Sequence, residues 1–462
     1  MKFSHVLLAA LLFTQSYVSQ AAVETVIAPK TSLTALKIIA TTTDGHDVSK
    51  EADRLFVPAS TMKLLTAVAA TASLGKDFKF QTHIYSSSPI INGVIHGNIY
   101  VSFNGDPSLT RDDLRQLIAQ LSNQGLRTVT GSVFLVGDQY EIQHAPGRVW
   151  DDLGICYAAP VSNFILDKNC VSAIFKPRLA DNTGIVELTS QAPIIINSRA
   201  VFDKQGQRPL CSLSLARFEN NRYRLDGCHK GNQALNLSIA VTDPVQYAID
   251  NLSQIMAASS VTVRGNIKLS QSLPADALQI AQHQSAPLTK LLTTMLLKSD
   301  NLIADSLLKR VGHNVFGTNG TFANGSLAMT QILTHLGIDL SSANIVDGSG
   351  LSRYNLLSAN HLAQVMALIV NDHNFAFLID ALPVAGSTGT LKYRRGYQQA
   401  PLKEHVMAKT GSMLGVYNVA GVIKQNNNIA YIFVILQNGV SPNKQSHQTM
   451  PYDAAVLKQL LK

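Results

Sequence analysis

Three short motifs in this sequence carry residue types that can perform acyl-transfer chemistry. Ser60-Thr61-Met62-Lys63 comes first, Ser299-Asp300-Asn301 follows, and Lys409-Thr410-Gly411 is the last. A serine is a poor nucleophile at its ordinary pKa, and the amine of a lysine one helical turn away can serve as its base. Because a Ser-x-x-Lys pattern alone occurs by chance in a chain of this size, it is the ordered set of three motifs that indicates a catalytic site.

The first motif is expected at the start of an apolar helix. Pro58 precedes Ser60, and apolar residues dominate from there to Leu74. This pattern predicts a helix over Ser60 to Leu74 with Ser60 at or near its N-terminus. The spacing puts Lys63 on the same face as Ser60, where it can act as the general base. The simpler alternatives are that Ser60 only caps the helix and that Lys63 is a solvated lysine.

The second motif is expected at a turn between two helices. It follows the helical run 291–298 and precedes another that begins near Leu302. If the backbone is extended there, Ser299 and Asn301 point the same way. Ser299 can then relay a proton to a leaving amine, and Asn301 can bind both a substrate amide and the catalytic lysine. Asp300 is expected to brace the loop; the alternative is that Asp300 and Asn301 only cap the second helix.

The third motif is expected on a strand. The residues 406–408 are typical of a strand, and Gly411 allows a second backbone to come close. An edge strand can pair with an extended peptide, while Lys409, Thr410 and Ser412 offer a cation and two hydroxyl groups to a terminal carboxylate. The backbone N–H of Ser412, with that of the serine in the first motif, is a candidate oxyanion hole. An ordinary strand lysine is the alternative.

The rest of the sequence predicts how these motifs are brought together. A strand near 36–43 and a set of helices and strands after about residue 287 flank a middle region of short alternating segments, which contains a helix near 112–126. We expect an α/β fold in which residues 22–78 and 287–462 form one discontinuous domain. Residues 79–286 are then an insertion, expected to form two smaller, mainly β domains. The polar stretch Gln271 to Pro287 is the predicted linker back to the first domain.

The first residues are typical of a secretory leader. Lys2 is followed by an uninterrupted apolar run from Val6 to Phe13 and by small residues up to Ala21. A membrane-spanning helix needs about twenty apolar residues, so this run is too short to be an anchor. We therefore expect an exported protein that is soluble or at most loosely associated with a membrane.

The four cysteines, Cys156, Cys170, Cys211 and Cys228, lie in one central stretch. In an exported chain such cysteines favour disulfides, and three pairings are possible. We favour Cys156 with Cys170 and Cys211 with Cys228 because each bond closes a short local loop. A zinc site is the competing interpretation, but the spacing is not that of structural zinc ligands.

Composition excludes several classes of protein. Charged residues make up 15% of the chain and hydrophobic residues 46%, so a folded globular protein with large cores is expected. The formal net charge of +8 is compatible with an anionic partner. We find no long run of Lys and Arg and no basic stripe interleaved with aromatic residues, so nucleic-acid binding is not expected.

The three motifs and several further stretches resemble one family, the penicillin-binding proteins. Within it the chain is similar to the low-molecular-mass, class C D-alanyl-D-alanine carboxypeptidases/endopeptidases, which carry a large insertion between the first two motifs. The supporting stretches are Phe56 to Ser60, Asn104 to Thr110, Asp347 to Ser352, Leu382 to Gly386, and Gly415 to Asn418.

The resemblance implies a serine penicillin-recognising fold, like that of β-lactamases and transpeptidases, which works without metal or cofactor. It implies an acyl-enzyme on Ser60 with Lys63 as its base. It assigns the remaining catalytic roles to Ser299, Asn301 and Lys409, and substrate contacts to Thr410, Gly411 and Ser412. It also implies that Asp152 meets the cationic end of a peptidoglycan stem peptide, although Asp151 is an alternative and Asp152 can instead cap a turn.

The expected activity is hydrolysis of peptidoglycan stem peptides and D-centred cross-links in the periplasm, with acylation by β-lactam antibiotics. The expected partners are those stem peptides and antibiotics, with no nucleic acid and at most peripheral membrane association. The long separation of Ser60 from Ser299 is unlike that in a compact β-lactamase. A β-lactamase or D-amino-acid esterase nevertheless stays an alternative, as does a non-catalytic peptidoglycan-binding scaffold.

Overall fold

The computed structural model describes residues 26, 28, 32–41, 47–138, 143–178, 182–441 and 450–461. The predicted leader lies outside the described residues. The chain divides into two compact units. The first comprises Met1–Asp77, Ala145–Gly147 and Leu288–Lys462, and the second comprises Phe78–His144 and Arg148–Pro287. The separation of the insertion into two β domains stays a prediction.

The strands are, in chain order, β1 Leu33–Ala40, β2 Val48–Lys50, β3 Gln81–Ser86, β4 Val94–Ile95, β5 Ile99–Ser102, β6 Thr128–Val129, β7 Val133–Val136, β8 Cys170–Pro177, β9 Gly184–Leu188, β10 Ile195–Ser198, β11 Val201–Asp203, β12 Leu213–Phe218, β13 Arg222–Lys230, β14 Leu235–Ala240, β15 Thr262–Val263, β16 Ile267–Ser270, β17 Leu278–Gln284, β18 Val406–Met413, β19 Val416–Gln425 and β20 Asn428–Asn438.

The α-helices are α1 Lys63–Leu74, α2 Arg111–Asn123, α3 Pro244–Ala258, α4 Leu288–Lys298, α5 Asn301–Phe316, α6 Phe322–His335, α7 Ala359–Asn371, α8 Phe377–Asp380 and α9 Tyr452–Leu460.

The first unit is built on an antiparallel sheet with the strand order β18-β19-β20-β1-β2. Alternate residues of these strands bury apolar side chains against α9, so the sheet and this helix share one core. That core includes Leu36, Ile38, Val419, Ile423, Phe433, Ile435, Val456 and Leu457. In this order β18, the strand that carries the third motif, lies at one edge of the sheet.

Helix α1 is buried on all sides. Every residue from Lys63 to Thr71 is buried, so a lysine at the first position of this helix is also removed from water. One 3-10 turn, Ala59–Met62, precedes the helix. Ser60 therefore lies in this turn rather than in the α-helix, close to the start that the sequence predicted.

The turn before α1 is held in an uncommon conformation. Ala59 has a φ of 48°, in the left-handed region that residues other than glycine rarely adopt. Gly350, with a φ of 79°, packs directly against it. A Cβ atom at Gly350 would lie 1.8 Å from the Ala59 carbonyl oxygen, so only glycine fits this position.

The second unit contains a mixed sheet with the strand order β16-β7-β5-β3-β17. Strand β17 lies within the stretch Gln271 to Pro287 that was predicted to be a linker, so that prediction was wrong. Of the residues in β17 only Ala281 is buried, and its glutamines and histidine hide the alternation from the sequence. Helix α3 was also missed, although Asp243 accepts the Gln246 N–H and Pro244 occupies the first turn.

Two disulfides lie in the second unit. Cys156 bonds to Cys170 and Cys211 bonds to Cys228, and in both the Cα atoms are 5.1 Å apart. These bonds use all four cysteines of the chain. The favoured pairing of neighbouring cysteines is therefore confirmed.

None of the helices in the described part of the chain combines the length and the apolar character that crossing a bilayer requires.

Candidate active site

Hydrogen bonds in the first unit join residues of all three motifs. Lys63 Nζ lies 2.9 Å from Ser60 Oγ and 2.6 Å from Asn301 Oδ1. Lys409 Nζ lies 2.9 Å from Ser299 Oγ. The structure thus brings together the five residues for which the sequence predicted catalytic roles.

The surroundings of the Lys63 amine suit a proton acceptor. The side chain is fully buried, and its Nζ also donates to the Ser349 carbonyl oxygen at 2.7 Å. The amide oxygen of Asn301 and this carbonyl oxygen can only accept hydrogen bonds, whereas a serine hydroxyl can also donate one. An amine that donates to the two acceptors can therefore direct its lone pair at the Ser60 proton.

Lys409 is the second fully buried amine of the site. Burial lowers the pKa of Lys409 well below its ordinary value, and the nearby charges of Lys63 and Arg394 lower it further. Its Nζ donates to the Thr410 carbonyl oxygen at 2.9 Å in addition to Ser299. Two buried amines that repel each other do not readily hold two protons, which favours a state with one amine neutral.

The second motif lies between α4 and α5, as predicted, but its backbone is not extended. Ser299 has a φ of 56°, so the expected alternation of side chains does not apply. The left-handed residue ends α4 and turns the chain, and Ser299 Oγ still reaches Lys409. Asp300 caps α5 by accepting the Ile303 N–H at 3.1 Å. Asn301 is the first residue of α5 and bonds to Lys63, so capping is not its only contact.

The third motif lies on the edge strand β18, with its backbone close to the turn that carries Ser60. A Cβ atom on Gly411 would lie 2.6 Å from the Pro58 carbonyl oxygen, which confirms the close approach expected of this glycine. The Thr410 hydroxyl pairs with that of Thr390 at 2.8 Å. Ser412, the next residue along the strand, is exposed.

Asn418 on β19 fixes the chain just before the turn. Its Nδ2 donates to the carbonyl oxygens of Val57 and Pro58 at 2.9 Å each, and its Oδ1 accepts the Gln437 N–H at 3.0 Å. Asn418 belongs to a stretch that supported the family resemblance, but the sequence did not assign it a role. Val57 and Pro58 are more than three hundred residues away along the chain, which no local pattern reveals.

A buried carboxylate supports the carbonyl group that Lys63 contacts. Asp305 is fully buried, and its Oδ1 accepts the backbone N–H groups of Gly348 and Ser349 at 2.9 Å each. It follows Asn301 by four residues on α5, so the two side chains share one face of the helix. The same helix thus binds the Lys63 amine directly through Asn301. Through Asp305 it holds the backbone N–H of Ser349, the residue whose carbonyl oxygen Lys63 contacts. Asp305 was not predicted from the sequence.

Asp152 belongs to the second unit, where it lies in the 3-10 turn Trp150–Gly154. The carboxylate of Asp152 accepts a hydrogen bond from the Tyr157 hydroxyl, and this contact together with burial raises the pKa of Tyr157. Asp151, the alternative, is exposed. A role for Asp152 in substrate binding stays a prediction.

The site of the first unit combines a serine, a buried amine within hydrogen-bond distance of it and a second lysine that bonds to another serine. Together with the sheet edge beside the first serine, this arrangement is that of a serine acyl-transfer enzyme of the penicillin-recognising type. The chain matches the model of the D-Ala-D-Ala carboxypeptidase 3 (S13) family over residues 19–459, and it belongs to that family.

Relatives and solved structures agree with this membership. The chain is 34% identical over 394 residues to D-alanyl-D-alanine carboxypeptidase DacB of Haemophilus influenzae, which covers 85% of this chain and 82% of that protein. It is 27% identical over 429 residues to the D-alanyl-D-alanine carboxypeptidase of Actinomadura sp. strain R39, with coverage of 89% and 78%. The crystal structure of penicillin binding protein 4 from Haemophilus influenzae superposes with a TM-score of 0.88 at 31% identity and covers 95% of this chain and 98% of that one.

These comparisons confirm the resemblance on which the sequence analysis relied. They also confirm its fold class, an α/β penicillin-recognising domain with mainly β additions. The roles of individual residues are not part of that likeness and rest on the geometry described above.

Proposed function

We propose that Ser60 is the nucleophile of a serine D-Ala-D-Ala carboxypeptidase and endopeptidase that hydrolyses peptidoglycan stem peptides and D-centred cross-links. The observation that carries this proposal is the buried Lys63 amine at 2.9 Å from Ser60 Oγ. Membership of the S13 carboxypeptidase family supports the class of substrate.

Acylation begins when Lys63 takes the hydroxyl proton of Ser60. The oxygen attacks the carbonyl carbon of the penultimate D-alanine, and the developing oxyanion is stabilised by the backbone N–H groups of Ser60 and Ser412. The C–N bond to the terminal residue then breaks as the hydroxyl of Ser299, which Lys409 holds in place, gives its proton to the leaving amine. The proton that Lys63 took from Ser60 passes to Ser299, so Lys63 is neutral again. The product is an ester between Ser60 and the shortened peptide.

Water completes the reaction. It attacks the ester carbon, its proton passes to Lys63, and the proton of Lys63 returns to the Ser60 oxygen as the carboxylic acid leaves. A penicillin follows the first half of this path when Ser60 opens the lactam ring. Its amine stays tethered to the acyl group, so the ester persists. A structure of the similar Haemophilus protein in complex with a β-lactam supports this part of the proposal.

The edge strand β18 binds the substrate backbone. Thr410, Gly411 and Ser412 line the terminal D-alanine, whose carboxylate favours the charged form of Lys409 when it arrives. The same contacts serve both exopeptidase and endopeptidase cleavage, because the reacting atoms are identical.

Asp152 binds the free amine of the stem-peptide side chain. Asp152→Asn is expected to lower kcat/KM for stem peptides that carry this amine about tenfold, because a charge-assisted hydrogen bond is lost, and to leave simple acylated dipeptides unaffected. Asp151→Asn is the matched control. Equal losses on both substrates, or a larger effect of Asp151→Asn, would remove Asp152 from the binding site.

The enzyme acts in the periplasm, where its polymeric substrate lies. It is exported by the leader at residues 1–21 and is soluble or at most peripherally associated with the membrane. The apolar run from Val6 to Phe13 supports export.

The activity is tested by the release of D-alanine from a pentapeptide stem and by the cleavage of a cross-linked muropeptide dimer. The wild-type protein is expected to do both, and Ser60→Ala is expected to do neither. Rapid and continuous consumption of penicillin without hydrolysis of either peptide would identify a β-lactamase instead.

A further inference from the structure

Four arginines of the second unit line one groove of about 740 Å³. They are Arg199, Arg217, Arg222 and Arg224, and we call this feature the arginine groove. Asn197 and Phe218 also line it. These arginines do not form a continuous basic stripe in the sequence, and only the fold brings them together. The local signal was weakened by acidic residues within the stretch, and Arg199 comes from a separate segment.

The pairing of three short strands creates the groove. On β13 the side chains of Tyr223 and Leu225 are buried, so Arg222 and Arg224 point to the opposite face. Phe218 on the antiparallel neighbour β12 lies opposite Arg222, and Asn197 on the parallel neighbour β10 lies opposite Arg224. Residues opposite each other in register share a face. These strands therefore assemble arginine, amide and aromatic side chains side by side.

The positive charge of the groove is only partly neutralised. Asp226 pairs with Arg224 at 2.7 Å, and Glu219 is the acidic residue that lines the groove. Arg217 lies over the ring of Trp150 with its guanidinium 5.4 Å from the centroid. Arg199 and Arg222 are exposed, and neither forms a salt bridge within the described part of the chain. The two guanidinium groups are thus available to an external anion.

We propose that the arginine groove is a docking site for the carboxylates of peptidoglycan stem peptides, separate from the site of hydrolysis. This proposal rests on the proposed function, because it supposes that the polymer is the substrate. Guanidinium groups match carboxylates in a two-bond geometry. The half-exposed ring of Phe218 lies beneath the Arg224 guanidinium, 5.6 Å from the ring centroid, and so helps to hold that group in the groove. The repeating carboxylates of the polymer complement the repeated arginines of the groove.

The shape of the feature favours a polymer strand over a membrane surface. A concave groove can take up a chain, whereas an anionic bilayer is contacted by projecting basic residues beside an apolar face. Docking on the arginine groove would retain the enzyme on the cell wall between successive cleavages.

The test compares binding to purified sacculi in a Ser60→Ala background, so that the polymer is not consumed. Arg199→Gln with Arg222→Gln is expected to raise the Kd for sacculi about tenfold, because two charged contacts are lost, and to flatten the dependence of binding on salt. Arg264→Gln with Lys268→Gln removes the same charge elsewhere in the second unit and is expected to leave both unchanged. Arg199→Lys with Arg222→Lys is expected to keep part of the affinity that the glutamine variant loses. Sacculi whose carboxyl groups have been amidated are expected to bind the two double variants equally.

Two results would overturn the docking site. One is that both glutamine double variants weaken binding to sacculi equally, which would indicate only an effect of net charge. The other is that the groove variant loses binding to phosphatidylglycerol vesicles while its binding to sacculi is unchanged, which would identify a membrane contact. Acylation by penicillin, measured with Ser60 intact, is expected to be unaffected by the groove variant. A failure of the proposed function would appear as absent acylation and is therefore distinguishable from a failure of docking.

Discussion

Replacement of Lys63 by methionine separates the chemistry of the site from its stability. The side chain is fully buried and its amine contacts Ser60, Asn301 and Ser349. Methionine has a similar length and shape but cannot accept the Ser60 proton. Loss of a general base lowers a rate by about two to four orders of magnitude, and we expect a reduction of at least a hundredfold in the acylation rate constant.

The expected change in stability is much smaller. The oxygens of Asn301 and Ser349 each lose a donor, which costs about 1–2 kcal/mol apiece. Removal of a buried neutral amine also removes its desolvation cost, which is about 1–3 kcal/mol and opposes this loss. The free energy of unfolding of Lys63→Met is therefore expected to stay within about 2 kcal/mol of the wild-type value.

The assay is stopped-flow acylation by a fluorescent penicillin, combined with denaturant unfolding of the same samples. Lys290→Met is the matched control, since Lys290 is exposed on α4 and the substitution is identical. It is expected to acylate at the wild-type rate. Acylation of Lys63→Met within tenfold of the wild type, with the fold intact, would refute the role of Lys63 as base.

Three further predictions follow from the supports of the site. Asp305→Ala is expected to lower the rate of acylation about tenfold or more, because the backbone N–H groups of Gly348 and Ser349 lose their acceptor. Asp305→Asn keeps an acceptor oxygen and is expected to retain much of the rate. Equal rates in the two variants would exclude a positioning role for Asp305. The pKa of Lys409 is lowered in the folded state. At pH values between that lowered pKa and the ordinary lysine pKa near 10.4, the unfolded chain therefore binds more protons than the folded chain. The free energy of unfolding consequently rises with pH across this range. Lys409→Met is expected to lose this slope together with acylation, as pH-dependent denaturation measures; an unchanged slope would contradict the lowered pKa. Gly350→Ala places a Cβ atom 1.8 Å from the Ala59 carbonyl oxygen. This variant is expected to have a lower melting temperature and slower acylation than the wild type. A wild-type melting curve would count against the tight packing of the turn before α1.

The residues that meet at the site could be predicted because each motif is local in sequence. The spacing of Ser60 and Lys63 already fixes their proximity in a helical turn, and the actual 3-10 geometry preserves it. The strand that carries Lys409 also followed from its local pattern, whereas its place at the edge of the sheet comes from the structure. Local sequence patterns of this kind predict the conformation of a few consecutive residues.

The supports of the site could not be predicted because they depend on distant contacts. Asp305 reaches backbone N–H groups more than forty residues away, and Asn418 reaches the chain before Ser60. Ser299 reaches Lys409 through a left-handed backbone conformation, which its sequence did not indicate. The arginine groove is a similar case, because Arg199 joins the other arginines only when β10 pairs with β13.

Every later step of the proposed reaction depends on the acylation of Ser60, and the intact mass of the protein after mixing with benzylpenicillin measures this acylation. We expect a stable increase of one penicilloyl group on the wild-type chain and none on Ser60→Ala. An adduct of the same mass on both proteins would place the nucleophile elsewhere. No adduct on the wild type and no consumption of penicillin would contradict an active site and favour a peptidoglycan-binding scaffold.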